Sequence, residues 1–135
     1  MLNSILSSPR VMVLEQALSA SSLRQKVISN NISNVNTPGY KKSEVLFEEM
    51  LQSAMTGHKM PMSQTNVRHL PIQHAGIPTP TANVRVNTSI RTDGSNVDID
   101  VEMANLAKNS IYYNAVVQQM SSYFSGIKSA IKEGR

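Results

Sequence analysis

The chain has 135 residues, enough for one domain or an elongated equivalent, and with no Trp, two Phe and four Tyr it is not expected to build a generous globular core. Cysteine is absent, which excludes disulfides and thiolate metal sites. The net charge of +4 comes from Lys and Arg residues scattered singly, apart from Lys41-Lys42; that is a solvated surface and not the basic stripe of a nucleic-acid binder.

Residues 1–10 lack the basic start and continuous apolar run of a Sec-type leader. No window approaches the ~20 apolar residues of a membrane span. The chain is therefore expected to be soluble, or to reach its destination without a classical signal. Pro9 marks the start of a first long helix or a break just before it. From there a series steps alternately by three and four through Val11, Leu14, Leu18, Ser21, Gln25, Ile28, Ile32 and Val35, six of the eight apolar, and Val13, Ala17, Ala20 and Val27 widen the stripe. Gln25 in the stripe, Arg24 beside it and several Ser make this helix weak by propensity. Periodicity alone does not separate it from an ordinary amphipathic helix on a globular core.

The run Ser29 to Tyr40 then ends the helix. Asn and Ser compete with the helical backbone for hydrogen bonds. Pro38 pushes Thr37 out of the helical region, and Pro38-Gly39 suits the two central positions of a type II turn, with Gly39 at φ > 0. Tyr40 and Phe47 are expected to fold back against the helix. Ile32 and Val35 keep the apolar phase, so the accompanying Asn side chains are expected to meet neighbouring backbone or neighbouring chains. Residues 43–55 read as a short amphipathic helix with Phe47, Met50, Leu51 and Met55 on one face.

Residues 56–81 have loop composition, with Gly57, Pro61, Pro71, Gly76, Pro78 and Pro80. His58, His69 and His74 fall here, at a spacing that fits no standard metal-ligand pattern, so no metal is expected. Residues 82–90 alternate with period two, and a short extended segment is expected that completes a hairpin or packs along a helix. After the Asp93-Gly94 turn, Asn96, Asp98, Asp100 and Glu102 alternate, but a Gly in second place rules out an EF-hand loop. The structural reading is a helix start: Asp98 or Asn96 is the cap, with Asp100 and Glu102 in the first turn where negative charge suits the dipole. Lys128, Lys132 and Arg135 supply the complementary charge at the other end, with Gly134 as a possible stop.

Between those ends runs the strongest pattern in the chain. Positions 99, 103, 106, 110, 113, 117, 120, 124, 127 and 131 read Ile, Met, Leu, Ser, Tyr, Val, Met, Phe, Ile and Ile. A strict seven-residue apolar repeat on a helix roughly 50 Å long asks for another long helix to cover it, and the N-terminal helix is the only other candidate in the chain. The expected fold is mainly α: two long heptad-patterned terminal helices form a coiled-coil-like pair, and the irregular middle holds a short helix and a short extended segment. Residues 1–40 would be the N-terminal helix and turn, 41–97 the middle and 98–135 the C-terminal helix, as one elongated unit. No Gly-rich phosphate loop, nucleophile-base pair or carboxylate dyad is present in the sequence, so no catalytic site, cofactor or small-molecule substrate is expected.

The stretch from Leu23 to Tyr40, with its N-N-I-S-N-V-N-T-P-G-Y run, resembles the N-terminal signature of bacterial flagellar axial proteins, the rod, hook and hook-associated subunits. Lys41 to Leu51 and the block Asp93 to Met103, followed by Leu106-Ala107 and Tyr113-Asn114, are similar to the short proximal rod members of the basal body. Longer relatives insert whole domains between the helices. The resemblance implies a structural rod subunit in a helical tube that transmits torque and encloses an export channel, with the terminal helices paired along its axis. It implies self-association and contacts with other rod subunits and the membrane base ring or adaptor protein, a periplasmic place in the basal body, and delivery by the flagellar type III export apparatus without a classical signal peptide. Leu14 and Leu18 are the candidate apolar determinant of export.

The expected assembly interface comprises Leu14, Leu18, Ile28, Asn31, Ile32, Asn34 and Val35 on the first helix side, and Met103, Leu106, Tyr113, Val117, Met120, Phe124, Ile127 and Ile131 on the last. The turn comprises Thr37, Pro38, Gly39 and Tyr40. The alternative from the same residues is a soluble helical adaptor or regulator that dimerises through the C-terminal heptads. An adaptor seam closes two-fold, whereas rod contacts are heterologous and propagate.

Overall fold

A computed structural model describes residues 8–56, 79–84 and 94–133, and its elements are α1 (Pro9–Ser33), β1 (Ser43–Val45), α2 (Phe47–Thr56), β2 (Ala82–Val84) and α3 (Ile99–Glu133). Of the loop expected over 56–81, residues 57–78 with His58, His69 and His74 lie outside the described residues, as do the outer part of the extended segment (85–90), Asp93 of the expected turn, residues 1–7 and the last two residues. The architecture is mainly α, with two long terminal helices, as the periodicity predicts.

Ser8 caps α1, its Oγ accepting from the Val11 N–H at 3.4 Å, and Pro9 occupies the first turn, where its missing N–H costs nothing. At the other end the Asn34 N–H bonds the Asn30 and Asn31 carbonyls, and its side-chain amide donates to the Asn30 carbonyl at 2.8 Å. The expected turn follows. The Tyr40 N–H closes on the Thr37 carbonyl at 3.2 Å across Pro38 and Gly39, and Gly39 has φ +72°. Asp98 is the cap of α3: its Oδ1 accepts from the Asp100 and Val101 N–H groups at 3.0 and 3.4 Å. Asn96 has another task, described below.

Two readings of the sequence need correction. Residues 43–55 are not one helix. Ser43–Val45 is a strand, paired antiparallel with β2 in the register Ser43↔Val84, Glu44↔Asn83, Val45↔Ala82, and helix begins only at Phe47. Tertiary hydrogen bonds to the Ser43 backbone override local helix propensity there. The second correction concerns the seam of α3. α1 runs antiparallel to α3, with Ser8 beside Tyr123, Ser21 beside Asn109 and Asn31 beside Glu102. The α3 residues turned to α1 are Glu102, Asn109, Val116 and Tyr123, spaced by seven, together with Leu106 and Met120 of the expected seam; Ile127, a turn beyond the start of α1, is half-buried. The other half of that seam, Met103, Ser110, Val117, Phe124 and Ile131, lies one residue further round and stays exposed. The sequence of α3 alone favours its most apolar line; α1 offers matching polar groups to the line beside it.

The core is small and set around one aromatic. Phe47 is fully buried, among Leu14, Ala17, Ala20, Val27, Val45 and Val116, with Leu18, Leu23, Leu51, Tyr112 and Met120 packed against them. α1 meets this cluster with small residues at Ala17 and Ala20, which lets the helices approach closely.

Candidate assembly interface

Where the chain reverses after α1, the buried groups are polar. The Asn31 carboxamide pairs with the backbone of Ser43 in both directions: Nδ2 donates to the Ser43 carbonyl at 2.9 Å, and Oδ1 accepts from the Ser43 N–H at 3.1 Å. The same Nδ2 donates to Glu102 Oε2 at 3.0 Å, and the Tyr40 hydroxyl donates to Oδ1 at 3.3 Å. One side chain thus ties α1, β1, the turn and α3 together. Asn96, expected as a possible cap, instead accepts the Lys42 N–H on Oδ1 at 2.7 Å, while Lys41 Nζ donates to the Gly94 carbonyl at 2.7 Å. Ser95, Asn96 and Val97 are all buried. No buried side-chain N or O among the described residues lacks a partner. A polar centre this fully satisfied fixes one geometry, because any other leaves buried groups unpaired.

A second polar contact sits mid-seam. Asn109 Nδ2 donates to the Ser21 carbonyl at 3.0 Å and to Gln25 Oε1 at 3.1 Å, and Ser21 Oγ donates to Asn109 Oδ1 at 3.1 Å. A cleft of ≈ 610 Å³ opens beside it between α1, the β1–α2 corner and α3. Arg24 forms an ion pair there with Glu48 and donates to the Val45 carbonyl at 3.4 Å. Tyr112 lines the same cleft, and burial raises its hydroxyl pKa, helped by the Glu48 carboxylate and opposed by Arg24.

The remaining surface of α3 is the opposite case. Met103 is 51% exposed, Val117 40%, Phe124 39% and Ile131 62%, and Tyr113 and Ile111 beside them are also exposed. A monomer rarely leaves so long an apolar line to water without a partner for it. Of the expected interface residues, Leu14, Ile28 and Asn31 are buried within the chain, while Leu18, Ile32, Asn34, Val35, Leu106, Met120 and Ile127 are half-buried. In the turn, Thr37, Pro38 and Gly39 are exposed and Tyr40 is half-buried; Asp98 is exposed. Sequence reasoning missed Ser21, Ser43, Glu102 and Asn109 as functional contacts. The signal available was the seven-residue spacing of Glu102 and Asn109 beside the apolar line. Among the described residues no cluster of His, Asp and Glu suited to a metal ion occurs, and no helix is long and apolar enough to cross a membrane.

Comparison with known proteins identifies the family. The family model described as "Flagella basal body rod protein" matches residues 12–41, which span most of α1 and the turn. The flagellar basal body rod protein FlgB of Bacillus subtilis (strain 168) is 34% identical over 134 residues, covering 96% of this chain and 98% of that protein. The chain belongs to the FlgB family. FlgB of Yersinia ruckeri is 32% identical and FlgB of Escherichia coli (strain K12) 28% identical, each over 89% of this chain and 91% of its own length. The matched block of the family model holds Asn31, Asn34, Pro38, Gly39 and Tyr40, so in this FlgB-family chain the polar reversal after α1 coincides with the family signature.

Proposed function

We propose that this flagellar rod protein is a building block of the proximal rod, and that the exposed column Met103, Ser110, Val117, Phe124 and Ile131 packs against helices of neighbouring rod subunits. The observation that carries the reading is that column. It continues a seven-residue repeat, which keeps facing a partner only when that partner is another long helix. Burying the exposed half of each apolar side chain contributes on the order of 1 kcal/mol apiece. The contacts are heterologous, since α1 already covers the adjacent line, and heterologous contacts build a helical tube, not a closed pair. Such a tube encloses an export channel and transmits torque. The subunit sits in the periplasmic part of the basal body next to other rod subunits and the membrane base ring, and reaches it through the flagellar type III apparatus. Ile32, Asn34 and Val35 extend the interface at the turn end, and Leu14 and Leu18 serve export. The relatives' names give no support to a discrete adaptor dimer.

Val117→Asp tests the reading. Val117 is exposed in the single chain, so the new charge stays hydrated and monomer stability should change by no more than about 0.5 kcal/mol. In the rod the charge would enter an apolar contact at several kcal/mol, an order of magnitude set by desolvation. Cells carrying Val117→Asp should lack rods and motility, whereas Lys108→Ala, off the column, should swim. Normal swimming with Val117→Asp would remove the column from the interface.

A further inference from the structure

Two lines on α3, one residue apart, compete for α1. Glu102, Asn109, Val116 and Tyr123 form the line that α1 covers; Met103, Ser110, Val117, Phe124 and Ile131 form the line left outside. Apolar burial by itself favours the outer line, which carries Met, Val, Phe and Ile against Val and Tyr. Apolar burial is also non-directional, so a broad apolar stripe tolerates a range of rotations of the helix about its axis. Hydrogen bonds do not. Asn109 holds three bonds to Ser21 and Gln25 of α1, and Ser21 is fully buried beneath them. Turning α3 by one residue, about 100° of rotation, would bring the outer line onto α1, break all three Asn109 bonds and take from the buried Ser21 hydroxyl its partner.

We infer that the Asn109–Ser21–Gln25 contact is an orientation lock that decides which face of α3 pairs within the subunit, and so reserves the Met103–Ile131 column for the helix of a neighbouring subunit. The identity of that outer partner rests on the assembly reading above; the lock itself does not. A single polar residue inside a coiled-coil seam sets register and oligomer state at a cost in stability, and the same directionality acts on rotation. The lock therefore predicts a variant that is no less helical than the parent yet wrongly turned.

The chain has no Cys, so one introduced thiol is the only one that reacts. The experiment measures thiol labelling rates of purified full chain carrying Val116→Cys or Val117→Cys, with and without Asn109→Ala, which removes the bonds and adds little apolar surface to the inner line. In the parent background the thiol at 117 should label roughly tenfold or more faster than the thiol at 116, because labelling at 116 needs a local opening of the seam. Asn109→Ala should collapse or invert that ratio while the helical circular dichroism signal is retained. Lys108→Ala, which makes the same truncation off both lines, should leave the ratio as in the parent. An unchanged ratio with Asn109→Ala would overturn the lock, and so would loss of helical signal, which would make Asn109 a fold-supporting residue only. A collapsed ratio combined with normal rods in Val117→Asp cells would keep the lock and remove the assembly reading.

Discussion

At the reversal end of the helix pair the fully buried side chains include Asn31, Ser95 and Asn96, whereas along the outer side of α3 the exposed ones include Val117, Phe124 and Ile131. This inverts the usual distribution of polar and apolar groups. The buried polar end spends specific hydrogen bonds on one backbone geometry, and among the described residues no buried side-chain N or O there is left without a partner. The apolar outer face makes no such commitment and is incomplete in the single chain. The first region defines the subunit; the second is where the subunit has something left to bury.

That contrast can be broken most severely at Asn31. Asn31→Asp replaces the amide that donates to Ser43 and Glu102, and sets a second carboxylate against that of Glu102. A loss of about 3–5 kcal/mol in unfolding free energy is expected, the scale of breaking a buried charged contact. Urea melts followed by circular dichroism measure it. A loss under about 1 kcal/mol would mean that the reversal is held by its apolar neighbours, on the scale of a single net hydrogen bond.

Gly39→Val should cost less. Among the described residues no heavy atom beyond its two chain neighbours lies within 4 Å of where its Cβ would sit, so the penalty is that of a β-branched residue at φ +72°, about 1–3 kcal/mol. The same melts should show a smaller shift than for Asn31→Asp, with impaired assembly in cells. A Val variant as stable as the parent would show that the turn relaxes freely.

The smallest effect belongs to Tyr112. Its folded-state pKa is raised by burial and by Glu48, so between the ordinary and the raised value the unfolded chain has lost a proton that the folded chain keeps. Stability from this source is complete below the ordinary tyrosine value and declines as pH rises past about 10. Tyr112→Phe removes the step, so the urea midpoint of the parent relative to that of the variant should be constant at neutral pH and fall above pH ~10. A constant difference across that range would mean that Tyr112 titrates alike in both states.

Much of this is legible in the sequence alone. The repeat from Ile99 to Ile131 predicts α3, and Pro38-Gly39 predicts a turn with Gly39 at positive φ. The D-G-S-N-V-D block narrows the cap to two residues, of which Asp98 is the one used. What was not legible depended on partners distant in sequence. Ser43 looks helical until Asn31, twelve residues earlier, takes both of its backbone groups. Asn109 looks like an ordinary surface residue until Ser21 and Gln25, read from α1 alone as weaknesses in the stripe, face it across the seam. Hydrophobic periodicity locates a stripe to within a residue or so; which edge of it turns inward is decided by polar pairs that no single helix reveals.

The most direct test is a density map of the isolated basal body, read along α3 at side-chain detail. The account predicts Glu102, Asn109, Val116 and Tyr123 against the subunit's own α1, and Met103, Val117, Phe124 and Ile131 against helices of neighbouring subunits. A map in which that outer column faces water, or packs on the subunit's own α1, would contradict it.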